Sequence, residues 1–458
     1  MRVLFATPEY APLVKVGGLG DVSAALPAAL RALGVQVRVL LPGYPEVMQK
    51  AGRLSEVEAF NEIGFDCRLL SGGDLLVLDC PQLYQRSGSP YQDPGGQDWP
   101  DNALRFGVLS RVAARLPGYD VLHCNDWQTA LAPVLASTPS LLTIHNLAFQ
   151  GNFERAWLDR LGLGQEYFSM ERLEFHGRLS FLKGGLVYAK ALTTVSPTYA
   201  REIQTAEFGC GMEGLLRERR GDLTGILNGI DTAEWDPAGD PHLAARYDVR
   251  SLDRKALNKE ALQKKLNLDV QNDIPLIGFV GRITHQKGVD LIAGALHELA
   301  ALPAQFALLG RGERELEGAL SIAAGRHPGR VAMASAFDEE LAHLIEAGAD
   351  LFLMPSRYEP CGLNQMYSQR YGTPPLARAT GGLADTIVDG ETGFLFERAE
   401  SAALATAVRR ALAVWREPRR WREMQGAAMR RDFSWAAAAR RYADLYSRLA
   451  RPEHRAAR

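Results

Sequence analysis

The sequence has few cysteines and no closely spaced pair of them. Cys67, Cys80, Cys124, Cys210 and Cys361 are scattered over 458 residues, and none of them forms a CxxC motif. An odd number of widely separated cysteines is not typical of a disulfide framework or of a structural zinc site. We therefore expect reduced thiols, most of them buried.

Long apolar runs and an excess of one charge are missing as well. No segment approaches the ~18 consecutive apolar residues that would span a bilayer, and Pro8 and Glu9 interrupt the first residues too early for a signal peptide. Lys and Arg number 52 against 54 Asp and Glu, a net charge of −2. This balance gives no global field that would attract nucleic acid or an acidic membrane. We expect a cytoplasmic protein that binds neither.

Short apolar segments alternate with helical patterns along the chain. They lie at 2–7, 35–41, 119–123, 141–145 and 191–196 in the first half, and at 275–281, 306–310, 330–334, 350–354 and 374–377 in the second. Strands separated by helices predict parallel sheets covered on both faces. The fold class is therefore α/β, with two Rossmann-like, doubly wound domains.

A stretch rich in proline, aspartate and glycine at 231–241 marks the predicted domain boundary. We expect an N-terminal domain at 1–240, a C-terminal domain at 241–435 and a final helical segment at 436–458. A helix predicted over 252–268 is expected to expose four lysines to solvent: Lys255, Lys259, Lys264 and Lys265. Doubly wound sheets bind ligands at the C-terminal ends of their strands, so two facing domains predict a ligand cleft between them.

Two glycine-rich turns lie between a predicted strand and a helix. They are KVGGLGD, from Lys15 to Asp21, and TGGLAD, from Thr380 to Asp385. Glycine lets backbone N–H groups approach a ligand, and the N-terminus of a helix favours an anion. The spacing is not the GxGxxG of dinucleotide folds. A turn needed only for packing is the alternative, against which the cationic Lys15 favours an anion site.

Two cations and one carboxylate follow predicted strands of the second half. Arg282 and Lys287 lie in GRITHQKG, where a planar guanidinium and a mobile ammonium could straddle a diphosphate. Glu359, in EPCGLN, could accept hydrogen bonds from sugar hydroxyls at the start of a helix. The alternatives are a surface ion pair for the cations and a carboxylate that only stabilises the helix N-terminus.

Polar residues also follow strands of the first half. His145 and Asn146 come directly after the strand predicted at 141–144, and Asn228 begins the turn NGID. Each could be a hydrogen-bonded core or turn residue, but the position of His145 at the ligand end of its strand favours a role in binding.

Taken in order, the motifs KVGGLGD, HNLAFQG, NGID, GRITHQKG, EPCGL and TGGLADT resemble those of bacterial glycogen synthases and plant starch synthases. The resemblance extends from Lys15 to Phe396. It implies the GT-B fold, two Rossmann-like domains facing a cleft, with the C-terminal helix crossing back to the first domain. It also implies transfer of glucose from ADP-glucose to the nonreducing 4-OH of an α-1,4-glucan such as glycogen or a maltodextrin, with retention of configuration. No metal or other cofactor is expected, and the sequence contains no Asp-x-Asp motif.

The same resemblance assigns roles to individual residues. Glu359 is expected to hold the hydroxyls of the donor glucose, and the backbone carbonyl of His145 to face the forming oxocarbenium ion. The catalytic set then comprises Lys15, His145, Arg282, Lys287 and Glu359. The expected substrate-binding residues are Gly18, Asp21, Asp126, Asn146, Asn228, Phe337, Cys361, Gly362, Leu363, Thr380, Gly381, Gly382 and Leu383. Phe337 would stack on adenine where relatives often have tyrosine.

The acceptor is expected at a first-domain loop that combines aromatic and polar side chains, Tyr91, Asp101 and Asn102, next to Trp99. A core position for Trp99 is equally compatible with the sequence. Many GT-B enzymes have a second glutamate eight residues after the first, where this chain has Tyr367. The synthases also lack it, so this difference favours them over the wider superfamily.

Several alternatives stay open at this point. The same fold could use UDP-glucose or another glucosyl acceptor, or the chain could be a catalytically silent sugar-binding homologue. A nicotinamide dehydrogenase would need a GxGxxG turn, and a glycogen phosphorylase would be far longer and would need a pyridoxal phosphate lysine. With one strong carboxylate and a cluster of cations, we favour attack on the face of the departing ADP over a covalent intermediate on a second carboxylate.

Overall fold

The computed structural model describes residues 1–336 and 338–451, which divide into two compact α/β units. Unit 1 contains residues up to Gly229 together with the helix that starts at Trp435, and unit 2 contains Ile230–Ser434. The division falls at Gly229 rather than at the predicted residue 240. The physical reason is local, because the N–H of Ile230 donates to the carbonyl of Phe433 inside unit 2.

Unit 1 is built on a nine-stranded sheet with the order β12-β11-β7-β6-β1-β2-β5-β4-β3 and a small sheet with the order β8-β10-β9. The strands are β1 (Arg2–Ala6), β2 (Gln36–Pro42), β3 (Ser55–Glu62), β4 (Phe65–Gly72), β5 (Leu75–Asp79), β6 (Val121–Asn125), β7 (Ser140–Ile144), β8 (Asn152–Phe153), β9 (Glu174–Phe175), β10 (Arg178–Ser180), β11 (Ala191–Thr194) and β12 (Leu223–Gly225).

The first nine helices of the chain belong to unit 1. They are α1 (Gly18–Ala32), α2 (Pro45–Lys50), α3 (Pro81–Tyr84), α4 (Asn102–Arg115), α5 (Ala132–Leu135), α6 (Trp157–Arg160), α7 (Phe181–Tyr188), α8 (Pro197–Glu202) and α9 (Glu213–Glu218).

The large sheet of unit 1 is parallel from β12 through β5, and its edge is antiparallel. In the parallel part Phe5 pairs with Val39 of β2 and with His123 of β6. At the edge, β4 pairs antiparallel with both β5 and β3. The sequence pattern predicted the five strands around β1 but not this antiparallel extension.

Unit 2 contains one parallel sheet with the order β15-β14-β13-β16-β17-β18. Its strands are β13 (Leu276–Val280), β14 (Gln305–Leu309), β15 (Val331–Ala334), β16 (Leu351–Met354), β17 (Pro375–Arg378) and β18 (Phe394–Phe396). Its helices are α10 (Lys255–Lys265), α11 (Val289–Ala300), α12 (Arg314–Arg326), α13 (Glu339–Gly348), α14 (Asn364–Arg370), α15 (Gly381–Thr386), α16 (Ser401–Trp415) and α17 (Pro418–Met429). The five strands predicted for this half are all present, within one or two residues of the expected bounds.

Helix α10 does not expose all four of its lysines, so that expectation was wrong. Lys255 is 6% exposed and donates to the carbonyl of Ala347 at 2.6 Å, and burial lowers its pKa to about 7. Lys259 is 5% exposed and forms an ion pair with Asp350 at 2.8 Å. The helix carries apolar residues between its lysines, and the side of it that faces α13 and the sheet includes both buried ammonium groups.

The final helix, α18 (Trp435–Leu449), packs against α1 in unit 1. Tyr442, Leu445, Tyr446 and Leu449 are buried in the same apolar cluster as β1 and β2. Inside this cluster the Tyr446 hydroxyl lies 2.7 Å from Nδ1 of His123 on β6. Burial holds the pKa of His123 well below its usual range, so its ring is neutral.

In the part of the chain that the structure describes, none of the helices combines the length and the apolar composition required to cross a bilayer.

Replacing Tyr446 by Phe should lower the free energy of unfolding by about 1–3 kcal/mol, because a buried ring nitrogen of His123 loses its partner. Denaturation in urea, followed by circular dichroism, measures the change. Ser447→Ala, on the exposed side of the same helix, is the control and should alter stability little. Equal stability of Tyr446→Phe and the wild type would contradict the expectation.

Candidate active site

The residues predicted to bind the donor in unit 2 follow neighbouring strands of its sheet. The loop 281–288 follows β13, the loop 355–363 follows β16, and the turn 379–383 follows β17. In this sheet β14 and β15 lie on one side of β13, and β16, β17 and β18 lie on the other. The strand order therefore reverses between β13 and β16. Open α/β sheets bind ligands at such a switch point, beyond the carboxyl ends of the strands.

Glycines allow these three loops to touch through their backbones. A Cβ on Gly288, which has φ +68°, would lie 2.0 Å from the carbonyl oxygen of Pro355. A Cβ on Gly381, with φ +45°, would lie 1.9 Å from the carbonyl oxygen of Glu359. The N–H of Gly382 donates to that same oxygen at 3.1 Å. Any side chain at Gly288 or Gly381 would push the loops apart.

An ion pair between a buried glutamate and a partly exposed lysine joins two of the loops. Lys287 Nζ lies 2.6 Å from Oε2 of Glu359, and the Ser356 hydroxyl donates to the same oxygen at 3.0 Å. Glu359 is only 5% exposed. Breaking a buried pair leaves an uncompensated charge, which is strongly destabilising. The structure therefore brings together two of the predicted catalytic residues and holds them in a fixed relation.

Arg282 belongs to the same loop as Lys287, and its side chain is exposed. Its guanidinium donates to Oε1 of Gln286 at 3.3 Å, and the Gln286 carbonyl accepts from the N–H of Arg357 at 2.8 Å. Gln286, which the sequence analysis did not single out, therefore connects Arg282 to the loop after β16.

The turn at Gly362 is held by a single buried glutamine. The Gln365 side chain donates to the carbonyls of Cys361 and Gly362 at 3.1 and 3.0 Å. Gly362 has φ +71°, which favours glycine. Leu363 directly precedes α14, and Thr380, which is fully buried, precedes α15. The side chain of Gln365 thus holds the turn at Gly362 against the start of α14.

In unit 1 the predicted residues follow β1, β6 and β7, which are also neighbouring strands around a switch point. The buried carboxylate of Glu9, which was not predicted as a site residue, forms hydrogen bonds with the loop after β1. Glu9 is 3% exposed, and its Oε2 accepts from the N–H groups of Val16 and Gly17 at 2.7 and 3.0 Å. Burial raises the pKa of Glu9, although these hydrogen bonds act in the opposite direction. Two N–H groups of the glycine turn thus bind this chain's own carboxylate.

Lys15 has a partner within unit 1. Its Nζ lies 2.8 Å from Oδ1 of Asp21, and the two side chains are 53% and 32% exposed. Gly18 is the first residue of α1, in the same turn. An exposed pair of this kind contributes little to stability, so it can exchange its partner for an anionic ligand at small cost.

Asp126 and His145 form a second hydrogen-bonded group in unit 1. Oδ1 of Asp126 accepts from the backbone N–H of His145 at 2.6 Å, and more weakly from that of Asn146 at 3.4 Å. Burial raises the pKa of Asp126 to about 7 and lowers that of His145 to about 3. The Asn125 side chain donates to the carbonyl of Ala6, so its Oδ1 accepts from Nε2 of His145 at 2.9 Å. The His145 ring is therefore neutral and does not act as a cationic acid.

The remaining predicted residues of unit 1 are placed as follows. Asn228 is buried, and its Oδ1 has no hydrogen-bond partner among the residues that the structure describes. The Tyr91 hydroxyl bonds Glu9, and the Tyr91 carbonyl accepts from Asn102 at 2.9 Å. Asp101 forms a bidentate ion pair with Arg86. The acceptor role of Tyr91, Asp101 and Asn102 stays a prediction. Phe337 lies outside the described residues.

Two family models match this chain. Residues 2–218 match the model described as starch synthase catalytic domain, and residues 258–425 match glycosyl transferases group 1. A glycogen synthase of Aromatoleum aromaticum is 54% identical, with 97% of this chain and 96% of that protein covered. One of Dechloromonas aromatica is 50% identical, with 97% and 98% covered. The chain belongs to the glycogen and starch synthase family.

A solved structure agrees with this assignment. The catalytic domain of starch synthase IV from Arabidopsis thaliana, bound to ADP and acarbose, matches with a TM-score of 0.87 at 34% identity, covering 98% of this chain and 99% of that one. The predicted α/β fold of the GT-B class is confirmed, and so is the resemblance on which it was based. As a member of this synthase family, the chain is a glycosyltransferase.

In this synthase, Gly381→Ala should reduce the rate of glucosyl transfer by at least about 10²-fold, because displacing the turn moves the backbone and Glu359 out of position. Steady-state kinetics measure the loss. Gly390→Ala is the matched control, since Gly390 has φ +76° but no atom within 4 Å of the added Cβ. It should lose stability from backbone strain and keep its activity. Full activity of Gly381→Ala would show that the contact is not required.

Asp126 should make stability depend on pH. Burial raises its pKa in the folded state to about 7, above the ordinary value of an aspartate, so the folded state binds the proton more tightly and gains stability below pH 4 that is lost as the pH rises towards 7. Asp126→Asn removes this term. The stability of the variant relative to the wild type should therefore rise between pH 4 and 7 and level off above pH 8. Urea unfolding at each pH tests this, and a constant difference would contradict it.

Proposed function

We propose that this chain transfers glucose from ADP-glucose to the nonreducing 4-OH of an α-1,4-glucan, with retention of the anomeric configuration. The observation that carries the proposal is the Lys287–Glu359 ion pair at the switch point of unit 2. It combines a cation suited to a diphosphate with a carboxylate suited to sugar hydroxyls. The presence of ADP and acarbose in the starch synthase IV structure supports an adenine nucleotide and a saccharide as ligands.

Anionic and cationic side chains of these loops would bind different parts of the donor. Glu359 would accept hydrogen bonds from glucose hydroxyls, while Lys287 and the exposed guanidinium of Arg282 would bind the diphosphate. The turn at Gly381 and Gly382 allows the backbone to approach the ligand closely. Because a diphosphate carries more charge than one carboxylate, Lys287 can bind it while remaining next to Glu359.

The proposed reaction exchanges one bond at the anomeric carbon for another on the same face. The bond from C1 to the β-phosphate oxygen breaks, and the acceptor 4-oxygen bonds to C1. The departing phosphate oxygen takes the proton of that hydroxyl. Arg282 and Lys287 would stabilise the charge that develops on the diphosphate, which is work that preorganised donors perform well in a site with little water.

We further propose that this reaction needs no metal ion. Arg282 and Lys287, on the loop after β13, would offset the charge that develops on the diphosphate, as a divalent ion would otherwise do. Initial rates measured at 25 °C should not change in excess EDTA. A rate that falls with EDTA and returns with Mg²⁺ would contradict this part of the proposal.

A donor comparison tests the function as a whole. The protein is incubated with a maltodextrin and either ADP-glucose or UDP-glucose, and nucleotide release and chain length are measured together. Lengthened chains with ADP-glucose and stoichiometric ADP support the proposal. A preference for UDP-glucose would show a different donor, and binding without turnover would show a catalytically silent homologue.

Lys287→Ala should lower kcat by on the order of 10²- to 10³-fold, the usual effect of losing one preorganised donor to a transition-state anion. The matched control is Lys265→Ala, which removes an exposed lysine of unit 2 that pairs with Glu340. Its kcat should equal that of the wild type. A near-normal kcat for Lys287→Ala would exclude the assigned role.

A further inference from the structure

A second group of ligand-type side chains lies in unit 2, in residues that the proposed reaction does not use. Glu234, Glu339 and His343 each place one carboxylate oxygen or ring nitrogen so that the three atoms lie within 4.8 Å of one another. Glu339 and His343 are four residues apart on α13, hence on one face of the helix. Glu234 comes from the segment 230–240, at the start of unit 2.

The two ring nitrogens of His343 differ in their hydrogen bonds. Its side chain is 2% exposed, and Nδ1 lies 2.7 Å from Oδ2 of Asp240. Asp240 also accepts from the hydroxyl of Tyr371 at 2.5 Å. Since a carboxylate oxygen only accepts, Nδ1 carries a proton. The buried Nε2 has no hydrogen-bond partner among the residues that the structure describes.

Stacking fixes the orientation of the ring. The Trp235 ring lies parallel to that of His343, with centroids 3.9 Å apart and an interplanar angle of 11°. Trp235 stacks in the same way on Tyr367 at 3.8 Å. Tyr367, which occupies the position of the second glutamate of other GT-B enzymes, is thus part of this packing. The imidazole cannot rotate to give Nε2 another partner.

We propose that Glu234, Glu339 and Nε2 of His343 bind one divalent first-row transition metal ion, which ties the segment 230–240 to α13. An imidazole whose other nitrogen donates to a carboxylate is the usual arrangement of a metal-bound histidine. One nitrogen and two carboxylate oxygens suit Zn²⁺, Co²⁺, Ni²⁺ or Mn²⁺ better than a soft ion such as Cu⁺.

The exposure of the two glutamates makes the site accessible. Metal–ligand distances of about 2.0–2.2 Å require the ligand atoms to lie nearer to one another than 4.8 Å. Glu234 and Glu339 are exposed, so their side chains can rotate inward while the buried histidine stays in place. Water would complete the coordination. The competing explanation is that the three side chains lie close together without binding a metal.

Binding of Co²⁺ to the full chain, purified without a histidine tag and freed of metal with EDTA, tests the proposal. Calorimetry and the visible absorption of Co²⁺ should show one ion per chain, and saturating Co²⁺ should raise Tm. Glu339→Gln and Glu234→Gln should each weaken binding on the order of 10- to 100-fold or more. Both change exposed side chains, so folding should be retained even where His343→Gln fails to fold.

The matched control is Glu340→Gln, which neutralises the neighbouring carboxylate on the same helix. It should leave Co²⁺ binding unchanged. Equal weakening by Glu340→Gln and Glu339→Gln would show that surface charge alone attracts the ion, and the absence of stoichiometric binding would show that the three side chains hold no metal. Either result overturns the proposal.

A spectroscopic signal locates the ion. Paramagnetic Co²⁺ on His343 should quench the fluorescence of the stacked Trp235, while Zn²⁺ should bind without comparable quenching. Trp235→Phe keeps a stacking ring and should retain Co²⁺ binding but lose most of the quenching. Quenching that is undiminished in Trp235→Phe would place the ion elsewhere and contradict the site.

Discussion

The ion pair between Lys287 and Glu359 is the interaction on which the proposed donor site depends. It links the loops that follow β13 and β16, and it survives burial because the Ser356 hydroxyl donates to the same carboxylate oxygen. Next to Lys287, Gly288 packs so closely against the carbonyl of Pro355 that a Cβ at this position would lie 2.0 Å from its oxygen. A substrate that binds both charges therefore meets a surface that is already assembled, and little binding energy is needed to organise it.

The two units differ in the environment of the ionisable groups that follow their strands. In unit 1, burial raises the pKa of Glu9 and of Asp126 and keeps His145 neutral, whereas unit 2 presents Arg282 and Lys287 on one loop beside Glu359. The net charge of −2 for the whole chain does not reveal this local difference. The chemistry of a site depends on a few residues at the ends of a few strands.

The sequence predicted the elements whose signal is local and continuous. The strands around β1 and β13 are short apolar runs, and the loops after them carry the motifs of the family. Strand β3 escaped prediction because most of its residues are exposed and it contains no continuous apolar run. Lys255 and Lys259 were misassigned because their partners, Ala347 and Asp350, come from distant parts of unit 2.

Glu9 and His343 show a second limit of prediction. Glu9 directly follows Pro8 at the end of β1, a position that could have marked it, but its function in holding the glycine turn requires knowledge of the turn's path. The three side chains of the proposed metal site come from two segments about a hundred residues apart and form no motif. They are Glu234, Glu339 and His343. Such residues come together only in the folded structure. Their spacing along the chain therefore does not reveal that they form a site.

The position of α18 has a consequence for biosynthesis. Unit 2 is continuous in sequence and can close its core while the ribosome still holds the last helix. Unit 1 cannot, because Tyr446 and its neighbours fill the space beside α1 and complete the partners of His123. The half of the protein that is translated first is therefore the half that finishes folding last, and a nascent chain exposes that apolar surface until α18 has been synthesised and has packed.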